Sequence, residues 1–510
     1  MLRTPVSRLA RTASRQAPRH HLRAISSTTS RGLATPTDKM VGASSQWANP
    51  FPTDTFAVGS KNGFLPTQDP LAVLPKEYEA MEDLLDRMPL KNADGTPGLL
   101  ASGAFGDAVE KELPEYDISK VSDPQLLSAL YRDLTFVASG YLLEPCDINY
   151  RNTGGYGLGR QTLPRNIAVP LTQVAKKIGQ RPFMEYALSY ALYNYKRVDP
   201  SKPLDYDNLE LIRSFSRHEA EHGFILVHVA MVRNSGGLVD ASLAALDAAA
   251  QGDRPAFNAA MIKMRDTYQV VNNVMETMWG RSAPEAYLSY RTFIMGTRAQ
   301  PMFPNGVMYE GVSDEPFQMR GESGANDSMV PLGDNLLELT ANMPVNPLTE
   351  VLRDFRTYRP RNHQEFLTYV QQRASAVGLR EFAMGDATSA ALYLANLDQI
   401  RAFRHRHWNF TKHYILKRTK HPVATGGSPI VTWLPNQLDA VLQQMLVTEA
   451  GIDRDALPPQ YQTMVEEISL RAEAQQRVLT REVARLTIER GAGSTKVDPS
   501  KPQDGYAASA

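Results

Sequence analysis

The sequence predicts a mainly α-helical protein, and three observations carry that prediction. From about Ala168 onward, apolar residues recur at three- and four-residue spacing almost without interruption. No stretch sustains the apolar–polar alternation of a half-buried strand. The gaps between periodic stretches hold residues that stop helices: Gly236-Gly237, Pro301, Pro304-Asn305-Gly306 and Gly426-Gly427. Helices are therefore expected near 168–178, 182–197, 205–234, 240–250, 254–279, 283–296, 330–342, 346–357, 362–376, 386–418, 431–448 and 459–489. At most a few short strands are expected, in the first third.

Taken in order, the first 37 residues stand apart. They hold seven arginines (Arg3, Arg8, Arg11, Arg15, Arg19, Arg23 and Arg31), many Ser, Thr and Ala, and no acid before Asp38. That composition predicts a mitochondrial presequence over 1–37 and a matrix location, since a secretory signal needs a central apolar run. The competing interpretation is a basic arm for nucleic acid or acidic lipid. From Thr53 to about Lys111, Pro and Gly are frequent, with a helical segment around 75–87 and a loop at 92–98. Residues 124–143 have helical periodicity. The Gly-rich stretch 153–160 has no apolar strand leading into it and meets Pro164 too soon for a phosphate-binding helix start, so a flexible connector is expected. The last helix is charged on most faces, and the tail 491–510 has a disordered composition. Partner binding and simple packing are both open for that helix.

At 510 residues the chain is long for a single core, so two domains are expected. Lys plus Arg and Asp plus Glu both number 55, and removal of the presequence leaves seven more acids than bases. A mildly acidic body argues against nucleic acid as the main partner. The single cysteine, Cys146, excludes an intrachain disulfide framework. No apolar run reaches the ~18 residues of a membrane span.

The chemistry-bearing residues centre on the helix expected at 386–418. Phe403, His407, Phe410 and Tyr414 are spaced +4, +3, +4, which puts His407 within an apolar stripe. His405 lies about 200° round the axis from it and His413 about 120° away. A lone imidazole there is either a satisfied core histidine or a ligand. Arg404 one turn earlier and the small-residue loop 424–428 favour an axial ligand to haem iron. Phe224 and His228 are i, i+4 neighbours, compatible with core packing or with one face of a site. Arg291 sits alone in an aromatic helix, where a buried guanidinium needs an anion. Residues 321–328 form a small-residue loop that lets backbone approach a planar ligand. His218-Glu219-Ala220-Glu221-His222 matches the HExxH zinc pattern, but no third-ligand extension follows, and a solvated face is the preferred interpretation.

Together these residues resemble the indoleamine 2,3-dioxygenase family of haem enzymes, in a divergent, fungal-type form. The resemblance is loose from about Gly63 and dense from about Gly140 to Leu446. Its markers are residues 164–170 (PRNIAVP), 306–311 (GVMYEG), the Ser323 loop, Tyr358-Arg359-Pro360, the His407 helix and Thr425-Gly426-Gly427. It implies a small N-terminal domain (38–208) on a large helical domain (209–490), with haem b between them and O2 as co-substrate. It makes His407 the iron ligand, places Arg404 near a haem propionate and pairs it with Asp334. Ser323 and Gly324 would lie over the distal haem face. Phe224 would pack on the substrate indole, Arg291 would hold its carboxylate, and Thr425 with Gly426 would close over the amino-acid end. His228 falls where some members carry Ser and others His. The implied reaction opens the indole 2,3-bond of L-tryptophan to give N-formylkynurenine, in a monomer. Alternatives are another indole as substrate, or a haem-binding sensor without turnover. The departures surround the substrate. Tyr287 or Tyr290 stands in for the aromatic before the arginine, Ala187 replaces a distal tyrosine with Tyr190 in the next turn, and Ile294-Met295-Gly296-Thr297 occupies the place of a tryptophan.

Overall fold

The computed structural model describes residues 54–321, 327–339, 354–421 and 423–489. Helices α1 (Glu79–Arg87), α2 (Leu99–Ser102) and α3 (Phe105–Glu112) lead into α4 (Pro124–Thr153). Helix α4 starts where Asp123 accepts the Leu126 amide at 2.7 Å, with Pro124 in the first turn. It stops at Gly154, whose φ of 78° suits glycine. Most of α4 is buried, charges included: Arg132 and Asp133 pair with each other, and Arg213 joins Asp133 to Glu82. Burial opposes ionisation of Asp133, but the two guanidiniums prevail and hold its carboxyl at about 2.

Among the described residues, four strands of two or three residues make two ribbons. Strand β1 (Thr162–Leu163) runs parallel to β4 (Met308–Tyr309), and β2 (Tyr195–Arg197) antiparallel to β3 (Leu209–Leu211). Helix α5 (Arg165–Ile178) is followed by a π-helical segment, Tyr186–Leu192. Then come α6 (Glu219–Val232), α7 (Ser235–Gln251), α8 (Arg254–Glu276), α9 (Met278–Arg281), α10 (Tyr287–Arg291), α11 (Met329–Leu336), α12 (Arg361–Val377) and α13 (Leu379–Met384). The series ends with α14 (Ala387–Phe410), α15 (Ile430–Ala450) and α16 (Pro459–Glu489).

Helix α14 is the axle. Asp386 caps it by accepting the Ser389 amide at 2.9 Å. From Ser389 to Phe403 it is buried around nearly its whole circumference, packed on α8, α15 and α16. A helix apolar or buried all round runs through a core rather than over it. After Phe410 the turns widen into a second π-helical segment, Thr411–Leu416. No described helix is long and apolar enough to cross a membrane.

The helical class holds, and several boundaries do not. The helix expected at 205–234 begins only at Glu219, because β3 and a turn built on buried Glu221 occupy its first part. Gly236-Gly237 do not interrupt a helix; they sit in the first turn of α7. A Cβ on Gly236 would come within 2.3 Å of the Ser60 carbonyl, so glycine there serves close packing. The strand β4 lies beyond the first third. The 153–160 stretch is not a loose connector, because Tyr156 is buried and stacks on Tyr150 with ring centroids 4.6 Å apart. Residues 1–37, most of the helix expected at 346–357, and the tail 491–510 lie outside the described residues.

Candidate functional site

One cavity brings together five of the candidate residues: Phe224, His228, Tyr287, His407 and Thr425. It encloses about 1080 Å³ of atom-free space, part of it open to solvent. Its walls come from α6, α8, α10, α14 with its π-helical continuation, α15 and the 424–428 turn, with Tyr186 contributed from before residue 208.

The stripe expected on α14 forms one wall: Phe403, His407, Phe410 and Tyr414 all border the cavity. Burial lowers the His407 imidazole to about 4; nearby Asp327 opposes that shift and Arg404 adds to it. At neutral pH the ring is therefore uncharged, with a lone pair free to bind a metal. No described residue hydrogen-bonds it. His405 and His413 turn away from the cavity, and His413 Nδ1 sits 2.9 Å from the Asn409 carbonyl. One turn before His407, Arg404 donates to both oxygens of Asp334 on α11, at 3.0 and 2.7 Å. Arg356 lies 3.7 Å from the same carboxylate.

Helix α6 supplies the facing wall. Phe224 has Tyr287 at 5.4 Å and Tyr290 at 6.0 Å between ring centroids. The His228 ring stacks on Tyr186 at 4.7 Å and 22°. His228 Nε2 is 3.3 Å from Asp327 Oδ2, close enough for charge attraction, yet neither atom has a partner in hydrogen-bonding geometry. The missing bond matters more than the short distance, because buried polar atoms are rarely left unsatisfied. Both residues line the cavity, so a bound molecule can supply the partner. The other Asp327 oxygen is taken by the Met329 and Val330 amides, at 2.6 and 3.3 Å.

The remaining candidates sit around this space. Arg291 is fully buried but does not border the cavity: it donates to the Tyr156 hydroxyl at 3.2 Å and the Val423 carbonyl at 3.0 Å, leaving Nε without a partner. Thr425 borders the cavity, and its carbonyl accepts the Gly296 amide at 3.0 Å. Gly426 passes beneath Phe355, whose ring a Cβ would approach to 2.4 Å. Tyr190 is buried behind the pocket, donating to Glu221 at 3.1 Å. Ser323 and Gly324 lie outside the described residues.

The HExxH pentapeptide is structural. His218 precedes α6 as its cap, with Nδ1 accepting the Ala220 amide at 3.0 Å, so it cannot share a helical face with His222. Glu221 points inward to Ser214, Phe215 and Ser216. No group of three or more His, Cys, Asp or Glu suited to a metal ion exists among the described residues. Sequence inspection missed Asp327, Tyr186 and Tyr156. Asp327 carried a signal, as an acid inside a small-residue loop; the other two are aromatics whose role comes only from what they touch.

The residues present fit a haem. A neutral imidazole with no hydrogen-bond partner among the described residues borders an apolar cavity, a second imidazole with an orphaned nitrogen lines the same cavity, and an arginine–carboxylate pair stands one turn from the first. Fold and pocket together suit the class of helical haem-binding proteins. A family model described as Indoleamine 2,3-dioxygenase matches residues 52–484, and the chain belongs to that family. The match runs into α16, past the Leu446 limit expected from the sequence. Among similar proteins, indoleamine 2,3-dioxygenase 1 of Rattus norvegicus is 25% identical over 391 residues, 73% of this chain and 92% of its own. Indoleamine 2,3-dioxygenase of Saccharomyces cerevisiae is 26% identical over 384 residues, 71% and 80% of the two chains. Myoglobin of Haliotis diversicolor is 25% identical over 369 residues, 72% and 89%.

Proposed function

We propose that this protein opens the indole 2,3-bond of L-tryptophan with O2, giving N-formylkynurenine. The observation that carries the reading is an apolar cavity bordered by His407, Phe224 and His228 together. His407 would hold haem b from below, and the Arg404–Asp334 pair would stand at its edge for a propionate. Bound there, haem supplies the iron that activates O2, and the protein supplies orientation and dryness.

The chain's own work is positional. Phe224 and Tyr287 offer aromatic faces for the indole plane, and a fixed plane converts a chance encounter into a near-attack geometry. His228 Nε2 and Asp327 Oδ2, both without a hydrogen bond, suit the indole N–H. The substrate carboxylate would take Arg291 by exchange with the Val423 carbonyl, a swap that couples binding to the segment carrying Thr425. A carboxylate is the stronger acceptor of the two, being charged.

The test is purified, reduced protein in air with L-tryptophan, followed by optical spectrum and product absorbance. Haem-type absorption and formation of N-formylkynurenine are expected; a protein fully loaded with haem that forms no product at saturating tryptophan overturns the reading. Similarity to a protein named myoglobin favours a second reading, haem binding without turnover, which predicts the spectrum alone. Ile294 on the cavity wall, in place of the family's tryptophan, favours a different indole, which predicts product from that indole and little from tryptophan. The Arg-rich residues 1–37 support a matrix location, tested by N-terminal sequencing of protein recovered from mitochondria. The proposed monomer is tested by sedimentation.

A further inference from the structure

Helix α16 packs on the helix that carries His407 without bordering the cavity. Glu482 on α16 spends its two carboxylate oxygens on two residues of the iron-binding helix. Oε2 accepts Trp408 Nε1–H at 2.8 Å, and Oε1 accepts the Lys412 ammonium at 2.8 Å. Trp408 follows His407 directly and is buried; Lys412 lies one turn on, inside the π-helical segment. Between them Thr411 donates its amide to the carbonyls of both His407 and Trp408, which marks the junction where α geometry gives way to π. Burial raises the Glu482 carboxyl, but the bonds from Lys412 and Trp408 prevail and hold it below its usual range, so the staple is ionic.

We propose that Glu482 is a positioning residue for the iron-binding imidazole, stapling α14 to α16 across the α-to-π junction. The inference rests on His407 being the axial ligand. A metal-bound histidine is ordinarily oriented by a partner on its second ring nitrogen. Among the described residues His407 has none. Its direction is then set by the backbone that carries it, and Glu482 fixes that backbone from the far side. Two turns earlier the same pair of helices is held by Asp398, which accepts from Arg471 at 2.6 Å, and by Arg401 donating to Gln475 at 2.6 Å. The junction also decides which side chains follow His407 into the wall: Thr411, Tyr414 and Ile415 all border the cavity. π-helical turns concentrate at functional sites, where a widened turn redirects side chains.

The test compares the full-length protein as purified with Glu482→Ala, Glu482→Gln and the control Glu473→Ala. Glu473 is exposed on the same helix and pairs only with Arg477, at 3.5 Å. Hydrogen exchange is measured by segment, and haem release by transfer to excess apomyoglobin. Glu482→Ala is expected to speed exchange in residues 405–416 about tenfold, the equivalent of one charge-assisted hydrogen bond, and to speed haem release. Glu482→Gln, which keeps an acceptor for Trp408 and loses the charge for Lys412, falls between; Glu473→Ala changes nothing. Unchanged exchange in 405–416 overturns the staple, and so does a rise spread evenly over all helices, the mark of general loosening. Faster local exchange with unaltered haem release overturns its role in holding the ligand. A protein purified without haem overturns the haem reading itself, and the exchange comparison still decides whether the staple exists.

Discussion

His407 is set apart from its neighbours by what it lacks. His413 is committed to the Asn409 carbonyl, and His363 lies 3.0 Å from the Ser328 hydroxyl between the edges of Phe56 and Phe64. His407 borders a cavity and, among the described residues, has no hydrogen-bond partner. A neutral imidazole opening onto that cavity offers its lone pair to whatever binds there, so the ring points to a ligand. His407→Ala is therefore expected to abolish stable haem binding, while His413→Ala, six residues on and facing away, retains it. Optical spectra of the two variants after expression with ample haem decide the matter; a full complement of haem on His407→Ala removes the axial role. The facing pair, His228 and Asp327, follows the same logic from the opposite wall.

At the scale of elements, the parts legible in sequence were those set by local periodicity. Phe403, His407 and Phe410 could be placed on one face because a regular helix turns about 100° per residue, and that face borders the cavity; Tyr414 reaches the same wall through π-helical turns that periodicity does not reveal. The Arg404–Asp334 pair is also as the resemblance implied. Illegible were features that depend on distant chain. Glu221 was expected on a solvated face, yet Ser214 and Ser216 fold back onto it, and Gly236 was expected to break a helix, yet Ser60 packs against it. Tyr156 sat in a glycine-rich stretch with nothing to show that Arg291, 135 positions away, would donate to it. That contact has a functional consequence. Arg291 now ties α10 to Val423 at the foot of the 424–428 turn, so removing it releases two things together. Arg291→Ala is expected to weaken tryptophan binding by about 2–5 kcal/mol, the usual cost of stripping a desolvated charge of its partner. It should also speed tryptic cleavage near Lys420. Unchanged affinity, by spectral titration, takes Arg291 out of the substrate site; unchanged cleavage shows that the turn does not depend on it.

For the whole molecule, burial of neutral histidines sets how the fold responds to acid. His363 is fully enclosed, and burial first, then the Arg359 cation, lowers it to about 3; His421 falls to about 4 for the same kinds of reason, with Arg291 as its cation. An unfolded histidine titrates near 6.5. Between pH 6.5 and 3 the unfolded chain therefore binds a proton at position 363 that the native state refuses. Stability linked to that group is complete above pH 6.5 and falls as pH drops toward 3, at about 1.4 kcal/mol per pH unit for one proton. Asp133 has the same sign in a lower window: with its carboxyl held at about 2, its contribution is complete above pH 3.8 and is lost between there and pH 2. The two windows overlap only between pH 3.8 and 3, so above pH 4 a variant can address His363 without Asp133. His363→Asn keeps a polar group near Ser328 but cannot take up a proton. Urea midpoints at pH 7, 6 and 5 should fall more steeply for the natural chain than for His363→Asn, whatever the variant's absolute stability. Parallel slopes over that range would mean that His363 takes its proton in the native state as easily as in the unfolded one, against everything its enclosure by Phe56 and Phe64 implies.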